Sequence, residues 1–423
     1  MLMCGTAHIF RGINIIYKKK IITFLLFFFS FFEILFPQDL GIKQNIIKDL
    51  ANTGFENIRI KYDPDKIIIA YENRVYRFDV DAVKEVLKIV VPELTEQKKI
   101  ILIPENRKIP LVIIEVLVTD CKDYLSSNIS GSEFAEKLKI IFETDTEWQD
   151  LKNETEFNSS NLRFDITLKP TIAAQFGVFT DPVMWQLNLV PGIRTSFWKG
   201  MLFNYELIVP IHNDLLPMED SVRTGMAVIN QTLRLPNSFF VSSSIGYFSN
   251  NRYGFDIEAK KYFSNGDINI GINFGITSFA YFVGKRFYYS DQFMWTGGIN
   301  LDFRIPKYDL TLGLSSGKFL MGDNSIRLDI NRAFGEIEIG FFAIRSLNGI
   351  SNGGINISIP IFPSKYWKPS FIRLRTEENF GWGYIVKSNT PDLIGLRYNT
   401  GNKINNFIKK LNPEFIKNNF RKN

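Results

Sequence analysis

The stretch FDIEAKKYFSNGDINIGINFGI, Phe255–Ile276, alternates apolar and polar residues on both sides of Ser264-Asn265-Gly266-Asp267. A period of two puts successive side chains on opposite faces of a strand. Asn265-Gly266 between two such runs predicts a tight hairpin. The same pattern continues in both directions. Met201, Phe203, Tyr205, Leu207 and Val209 alternate with Asn204 and Glu206. Ile299, Leu301, Phe303 and Ile305 alternate with Asn300, Asp302 and Arg304, and Ile326, Leu328 and Ile330 with Arg327 and Asp329. Short turn signals separate the runs, so residues 161–400 read as a mainly β, antiparallel meander.

Two architectures accommodate such a meander. A secreted carbohydrate-binding β-sandwich turns its apolar face onto a second sheet. An outer-membrane barrel turns it to lipid and lines a lumen with the polar face. The barrel is favoured by charges and glycines on the polar face and by aromatics near strand ends, such as Trp198, Tyr262 and Trp295. At roughly 17–20 residues per strand and turn, about 12 strands are expected. On this reading the lumen-facing candidates are Asn204, Glu206, Asp256, Glu258, Lys260, Asp302, Arg304, Arg327, Asp329, Glu336 and Glu338.

The chain has 423 residues and a formal net charge of +6. Residues 1–37 carry +3 and residues 401–423 carry +5, which leaves −2 for the body. A terminal excess with no basic stripe argues against a nucleic-acid partner. Lys18–Lys20 followed by the apolar run Ile21–Phe36 has the order of a signal peptide, with an over-extended start. The run is short for a membrane span, which needs roughly 20 residues. Residues 401–423 read as a basic tail with helical spacing, its charge directed to the periplasm or a partner.

Residues 38–120 read as a small periplasmic α/β region, helix–strand–strand twice. Gly54 ends the first helix, and Val83, Val86, Leu87 and Val90 share a face of the second. Two Glu-Asn-Arg triplets, Glu72–Arg74 and Glu105–Arg107, fall between strands and read as solvated turns, with a binding or docking module as the alternative. Residues 121–160 are polar and weakly patterned, and read as a linker with a short helix near Phe134–Phe142.

Two cysteines make no disulfide framework, and no Cys/His spacing suits a metal. No cofactor is expected. The body's histidine, His212, lies in Pro210-Ile211-His212-Asn213-Asp214, a sequence that reads as a loop. Glu336 and Glu338, on one strand face, would stand about 7 Å apart, a separation that leaves a glycan-cleaving pair open. A barrel hydrolase acting on lipid or glycan is therefore an alternative to a non-enzymatic conduit or scaffold, which is the expected reading.

The segment Gly353–Tyr384, GGINISIPIFPSKYWKPSFIRLRTEENFGWGY, resembles the closing motif of the YjbH/GfcD-type exopolysaccharide-biosynthesis outer-membrane proteins. The residues that carry the resemblance are Gly354, Ile357, Ser358, Ile359, Pro360, Arg373 and Arg375. Gly54–Ile60 and Glu72–Arg77 resemble that family's periplasmic part. Thr376-Glu377-Glu378 departs from its usual Arg-Asp-Gly-Gly-like stretch. The resemblance implies a barrel in the outer membrane of a Gram-negative-type bacterium, serving exopolysaccharide export or assembly. Its implied partners are outer-membrane lipid, an extracellular polysaccharide and periplasmic export proteins, with Arg373 and Arg375 either contacting sugar or pairing with acids inside the barrel.

Overall fold

The computed structural model describes residues 38–177, 180–283, 286–367, 370–386, 394–408 and 411–422. The signal-peptide reading of residues 1–37 lies outside them. Met1–Lys48 and Asp49–Asn423 are separate compact units, and the architecture below is that of the second. Helix α1, Gln38–Thr53, crosses the boundary. Gly54 follows it at φ 108°, a conformation open to glycine because it has no Cβ.

The α/β region contains strands β1 (Glu56–Tyr62) and β2 (Lys66–Glu72), helix α2 (Asp79–Val90), and strands β3 (Lys99–Asn106), β4 (Ile109–Pro110) and β5 (Ile113–Leu117). β2 and β3 pair in parallel, with α2 in the crossover, and the other pairs are antiparallel. A parallel pair needs a connection of this length. Helix α2 buries Val80, Val83, Val86, Leu87 and Val90 on one face.

The expected linker is instead folded. It forms α3 (Val118–Leu125), α4 (Gly131–Lys137), β6 (Lys139–Ile141) and α5 (Asp145–Leu151). β6 pairs with β5 at the edge of the small sheet. A reciprocal capping box, Ser130 with Glu133, starts α4. Few apolar residues are needed because each element covers only one edge of a sheet already made: Phe134, Ala135, Leu138, Ile140 and Phe142 are all buried. Cys121 is also buried, and burial pushes its thiol up to about 12.

The large sheet follows. Its first strands are β7 (Phe164–Phe176), β8 (Val183–Thr195), β9 (Met201–Asn213) and β10 (Arg223–Leu235). Then come β11 (Phe239–Phe248), β12 (Arg252–Phe263), β13 (Ile268–Val283), β14 (Arg286–Tyr289) and β15 (Met294–Ile305). It continues with β16 (Leu310–Lys318), β17 (Asn324–Phe334), β18 (Ile337–Ser346) and β19 (Ser351–Pro360), and finishes with β20 (Ile372–Thr376) and β21 (Asn379–Ile385). Among the described residues this is one sheet of 15 strands. Setting aside the side arm β14 and the short β20 and β21 leaves twelve strands in an antiparallel meander.

β20 and β21 occupy opposite ends of the sheet although two residues separate them. β20 pairs in parallel with β7, and β21 pairs antiparallel with β19. Glu377 N donates to Leu168 O, and the rings of Phe176 and Tyr384 meet at 6.0 Å. The stretch Ile372–Ile385 therefore touches both the first and the last long strand.

The apolar side of the meander is the exposed one. Ile272 on β13, Ile299 on β15 and Phe341 on β18 are 59%, 61% and 57% exposed. Polar residues of the opposite face, Lys260, Asn269 and Asn204, are buried. A sandwich would have the opposite arrangement. The β12–β13 connection holds four residues, because Phe263 pairs with Ile268, so it is longer than the two-residue hairpin expected at Asn265-Gly266. Asn265 instead caps the small region: its Oδ1 accepts from Phe142 N and its Nδ2 donates to Ile140 O.

Several turns at that end meet the α/β region. Arg234 donates to the carbonyls of Pro110, Leu111 and Phe142 at 2.8, 2.8 and 2.6 Å, and Gly200 N donates to Arg107 O. No described helix is long and apolar enough to cross a membrane, a statement that does not bear on strands.

Candidate functional site

The polar face of the large sheet is in contact with the chain's own residues 394–408 and 411–422. This segment holds α6 (Ile404–Ile408) and α7 (Pro413–Arg421). It begins at the end of the sheet away from the α/β region. There Leu320 N donates to Leu396 O, Ser249 N to Asn399 O, and Asn250 Nδ2 to Arg397 O. It then runs along the polar face. The Tyr398 hydroxyl donates to Asp256 at 2.7 Å while its ring stacks on Phe248 at 5.4 Å. Asn402 donates to Asn230 and Thr232, and accepts from Arg107 at 3.0 Å. Asn405 is held between Lys260 and Asp302, at 2.7 and 2.9 Å. The segment leaves at the α/β end, where Asn412 donates to Gly266 O and Asn418 to Pro306 O and Asp309.

The last helix is anchored by aromatic packing. Phe420 is fully buried, with Phe134 at 5.4 Å and Tyr124 at 5.9 Å, and Phe415 meets Phe78 at 6.0 Å. Arg421 pairs with Glu136 at 2.6 Å. Of the tail's described cations, Lys403 is half-buried beside Glu258 and Asp256, while Arg421 and Lys422 pair with Glu136 and Asp309. The physical reason is complementarity: the wall offers Asp256, Glu258 and Asp302, and the tail offers amides and cations.

Two polar cavities flank the segment, of about 400 and 650 Å³. The smaller is lined by Asp256, Glu258, Lys260, Asp302, Arg304, Asp329 and Glu338 among others. The larger reaches from Asp165 and Arg194 on the first strands to Glu338 and Ser358 on the last. Asn204 and Glu206 form a network with Arg194 and Lys169, at 3.0 Å for Arg194–Asn204 and 2.8 Å for Lys169–Glu206. Arg327 grips Asp329 at 2.6 Å and lies over the Phe342 ring. Arg304 pairs with Asp309 at 2.8 Å.

The two acids at 336 and 338 do not share a strand. Glu336 lies in the turn before β18, and Arg77 donates to both its oxygens. Glu338 lies on β18 and lines both cavities. His212 belongs to β9 rather than to a loop, stacks on Trp185 at 4.1 Å and pairs with Asp214 at 2.8 Å.

The motif residues are placed at the junction of the sheet's two ends. A Cβ on Gly354 would overlap Tyr384 O and crowd the Phe342 ring, so only glycine lets β21 approach β19 there. Ser358 pairs with Gly381, and Pro360 with Asn379. Arg373 donates to Glu56 at 2.7 Å and lies 2.6 Å from Asp165. Arg375 faces Glu378 at 3.6 Å and covers the Tyr366 ring. Both arginines thus meet acids, and Arg373 ties the α/β region to the sheet.

The Glu-Asn-Arg triplets are not solvated turns. Glu72, Glu105 and Arg107 are buried, because the turns they occupy are covered by the large sheet and by residues 154–160. Burial pushes the Glu105 carboxyl up to about 8, against the opposing pull of Arg59. Sequence reading ranked docking behind solvation for these triplets and did not place the tail against the sheet. A legible signal was the run of amides at Asn399, Asn402, Asn405 and Asn406, since amides pair equally well with carboxylates and with hydroxyls. Among the described residues no group of three His, Cys, Asp or Glu side chains is placed to hold a metal ion.

Comparison with known proteins gives the class. The profile of the YjbH family, described as exopolysaccharide biosynthesis protein YbjH, matches residues 37–370. The chain belongs to this family. Gly354, Ser358 and Pro360 fall within the matched residues, and Arg373 and Arg375 follow them. No curated protein matches the chain. A solved structure, the loop L8 deletion mutant of OmpT, an outer membrane protein of Vibrio cholerae, is similar at 8% identity with a TM-score of 0.25. The match covers 46% of this chain and 85% of that one.

Proposed function

We propose that this chain is an outer-membrane β-barrel that serves export or assembly of an exopolysaccharide as a non-enzymatic conduit or scaffold. The supporting observation is the inverted sheet: an exposed apolar band outside and a continuous polar wall inside. Lipid accommodates the first and water or a glycan the second. The twelve long strands form the barrel wall, and Ile372–Ile385 closes it between β19 and β7. Family membership supplies the link to exopolysaccharide. The α/β region caps the periplasmic end, where the short turns lie, and faces the periplasmic export proteins. The wall's charges are largely committed to one another or to residues 394–422, which favours a holding role over a catalytic one.

Cell fractionation tests the reading. The protein should be recovered in the outer-membrane fraction and migrate differently on gels with and without heating. Recovery as a soluble periplasmic protein would overturn it. A hydrolytic activity lost on substituting His212, or Glu336 together with Glu338, would overturn the non-enzymatic part.

A further inference from the structure

We infer that the wall gripping residues 394–408 is a binding track for a neutral, hydroxyl-rich glycan, and that this segment is an internal occupant which such a glycan displaces. The inference rests on the proposed function and names what the interior binds. The first argument is chemical. At Asn402 and Asn405 the segment is held by Asn230, Thr232, Lys260 and Asp302. These are amide, hydroxyl, ammonium and carboxylate groups, each able to pair with a sugar hydroxyl in place of an amide. At Tyr398 a ring–ring stack on Phe248 accompanies the hydrogen bond to Asp256. Phe248 uncovered would offer the flat aromatic face on which a pyranose packs.

The second argument is path. Residues 394–408, and then Leu411 and Asn412, lie along the polar face from the far end of the sheet to the α/β end, the route a polymer would take between the same two ends. The flanking cavities, about 400 and 650 Å³, add width for a sugar ring once the segment leaves. The third argument is attachment. The segment adds no strand to the sheet; α6 is a five-residue helix, and the contacts along the wall are mostly made by side chains. It can therefore withdraw without unpairing the barrel. Withdrawal returns the wall's polar groups to water or glycan, and it uncovers the apolar cluster of Met226, Val228, Phe248 and Leu320 that Tyr398 covers.

Competition for one wall has a measurable signature, because a ligand whose site is occupied binds more weakly by the fraction of time the site is free. The experiment uses the full chain in detergent micelles and maltoheptaose as the neutral glycan probe. Trypsin cleavage after Arg397 and Lys403 reports release of the segment. Saturating maltoheptaose should accelerate this cleavage at least tenfold. Gly275→Val supplies a second readout, since a Cβ at Gly275 would overlap the Tyr398 hydroxyl; it should tighten maltoheptaose binding at least tenfold. Cross-linking N402C to T232C with a short bis-maleimide should abolish binding. Unchanged cleavage with the probe, unaltered affinity in Gly275→Val, or full binding to the cross-linked protein would each overturn the inference. None of these outcomes moves the protein out of the outer-membrane fraction, so failure here is separate from failure of the proposed function.

Discussion

Arg77 Nε and Nη2 stand 2.8 and 2.6 Å from the two carboxylate oxygens of Glu336, joining the α/β region to a turn of the large sheet through a bidentate pair. Arg77 Nη1 also donates to Ile361 O at 2.6 Å. Removing Glu336 takes the bidentate carboxylate away from a largely buried guanidinium, at a cost of about 3 kcal/mol. Glu336→Ala should therefore loosen the α/β region from the sheet, seen as faster proteolysis within residues 49–160. The exchanged pair Arg77→Glu with Glu336→Arg should recover part of the loss. Equal proteolysis of wild type and Glu336→Ala would show that the pair does not hold the junction.

The outward face carries its own prediction. Ile272 is 59% exposed on the apolar side of β13. If that side meets lipid, Ile272→Arg at mid-membrane should cost about 2–4 kcal/mol, read as the loss of folded protein on refolding into lipid vesicles. A protein exposing the same residue to water would be nearly indifferent to the change.

Gly354 allows a finer test of the closing stretch. The added methyl of Gly354→Ala would meet the Tyr384 carbonyl and the Phe342 ring, and relieving the overlap should cost about 1–3 kcal/mol. Hydrogen exchange should rise selectively on β19 and β21, with β10 to β13 unaffected. Uniform exchange across the sheet would refute the local account.

Glu105 gives the stability of the α/β region a pH dependence. Its carboxyl is held at about 8 in the folded protein, mainly by burial, against an ordinary value of 4.5. The folded state thus holds a proton that the unfolded state has lost between these values. The contribution is fully present below pH 4.5 and is lost as pH rises through about 8. Relative to wild type, Glu105→Gln should gain stability progressively across that window, measured as the difference in Tm between the two proteins. A difference independent of pH would refute the shifted carboxyl.

Phe420 anchors the end of the inner segment. It is fully buried against Phe134 and Tyr124, and truncating a buried Phe costs about 3–5 kcal/mol. Phe420→Ala should free α7 to proteolysis at Arg421 while the strands stay protected. Protection of α7 as in wild type would refute the anchor.

Alternation made the large sheet legible, because a strand with a uniform environment on each face records it residue by residue, as Ile268–Ile276 does. It also separated the wall residues from the outward ones. Three features were hidden for physical reasons. Lys139–Ile141 is too short to show a period and becomes a strand only by pairing with β5. Asn265-Gly266 reads as a hairpin tip, but its amide is used to dock Phe142, a long-range contact without local trace. Residues 401–423 read as a basic tail because their amides and cations suit water as well as they suit Asp256, Glu258 and Asp302. Local sequence does not distinguish between those two partners.

The parallel pairing of β20 with β7 has a consequence of parity. Each hairpin reverses the chain, so twelve strands return it to the α/β end where β7 began. Ile372–Ile385 is one more traverse, and an odd number of traverses delivers the chain to the far rim. Residues 394–408, described beyond that rim, lie along the polar face. The inner segment is thus the return leg that an odd count imposes. An even count would bring the chain out beside its starting point, with no return leg to place.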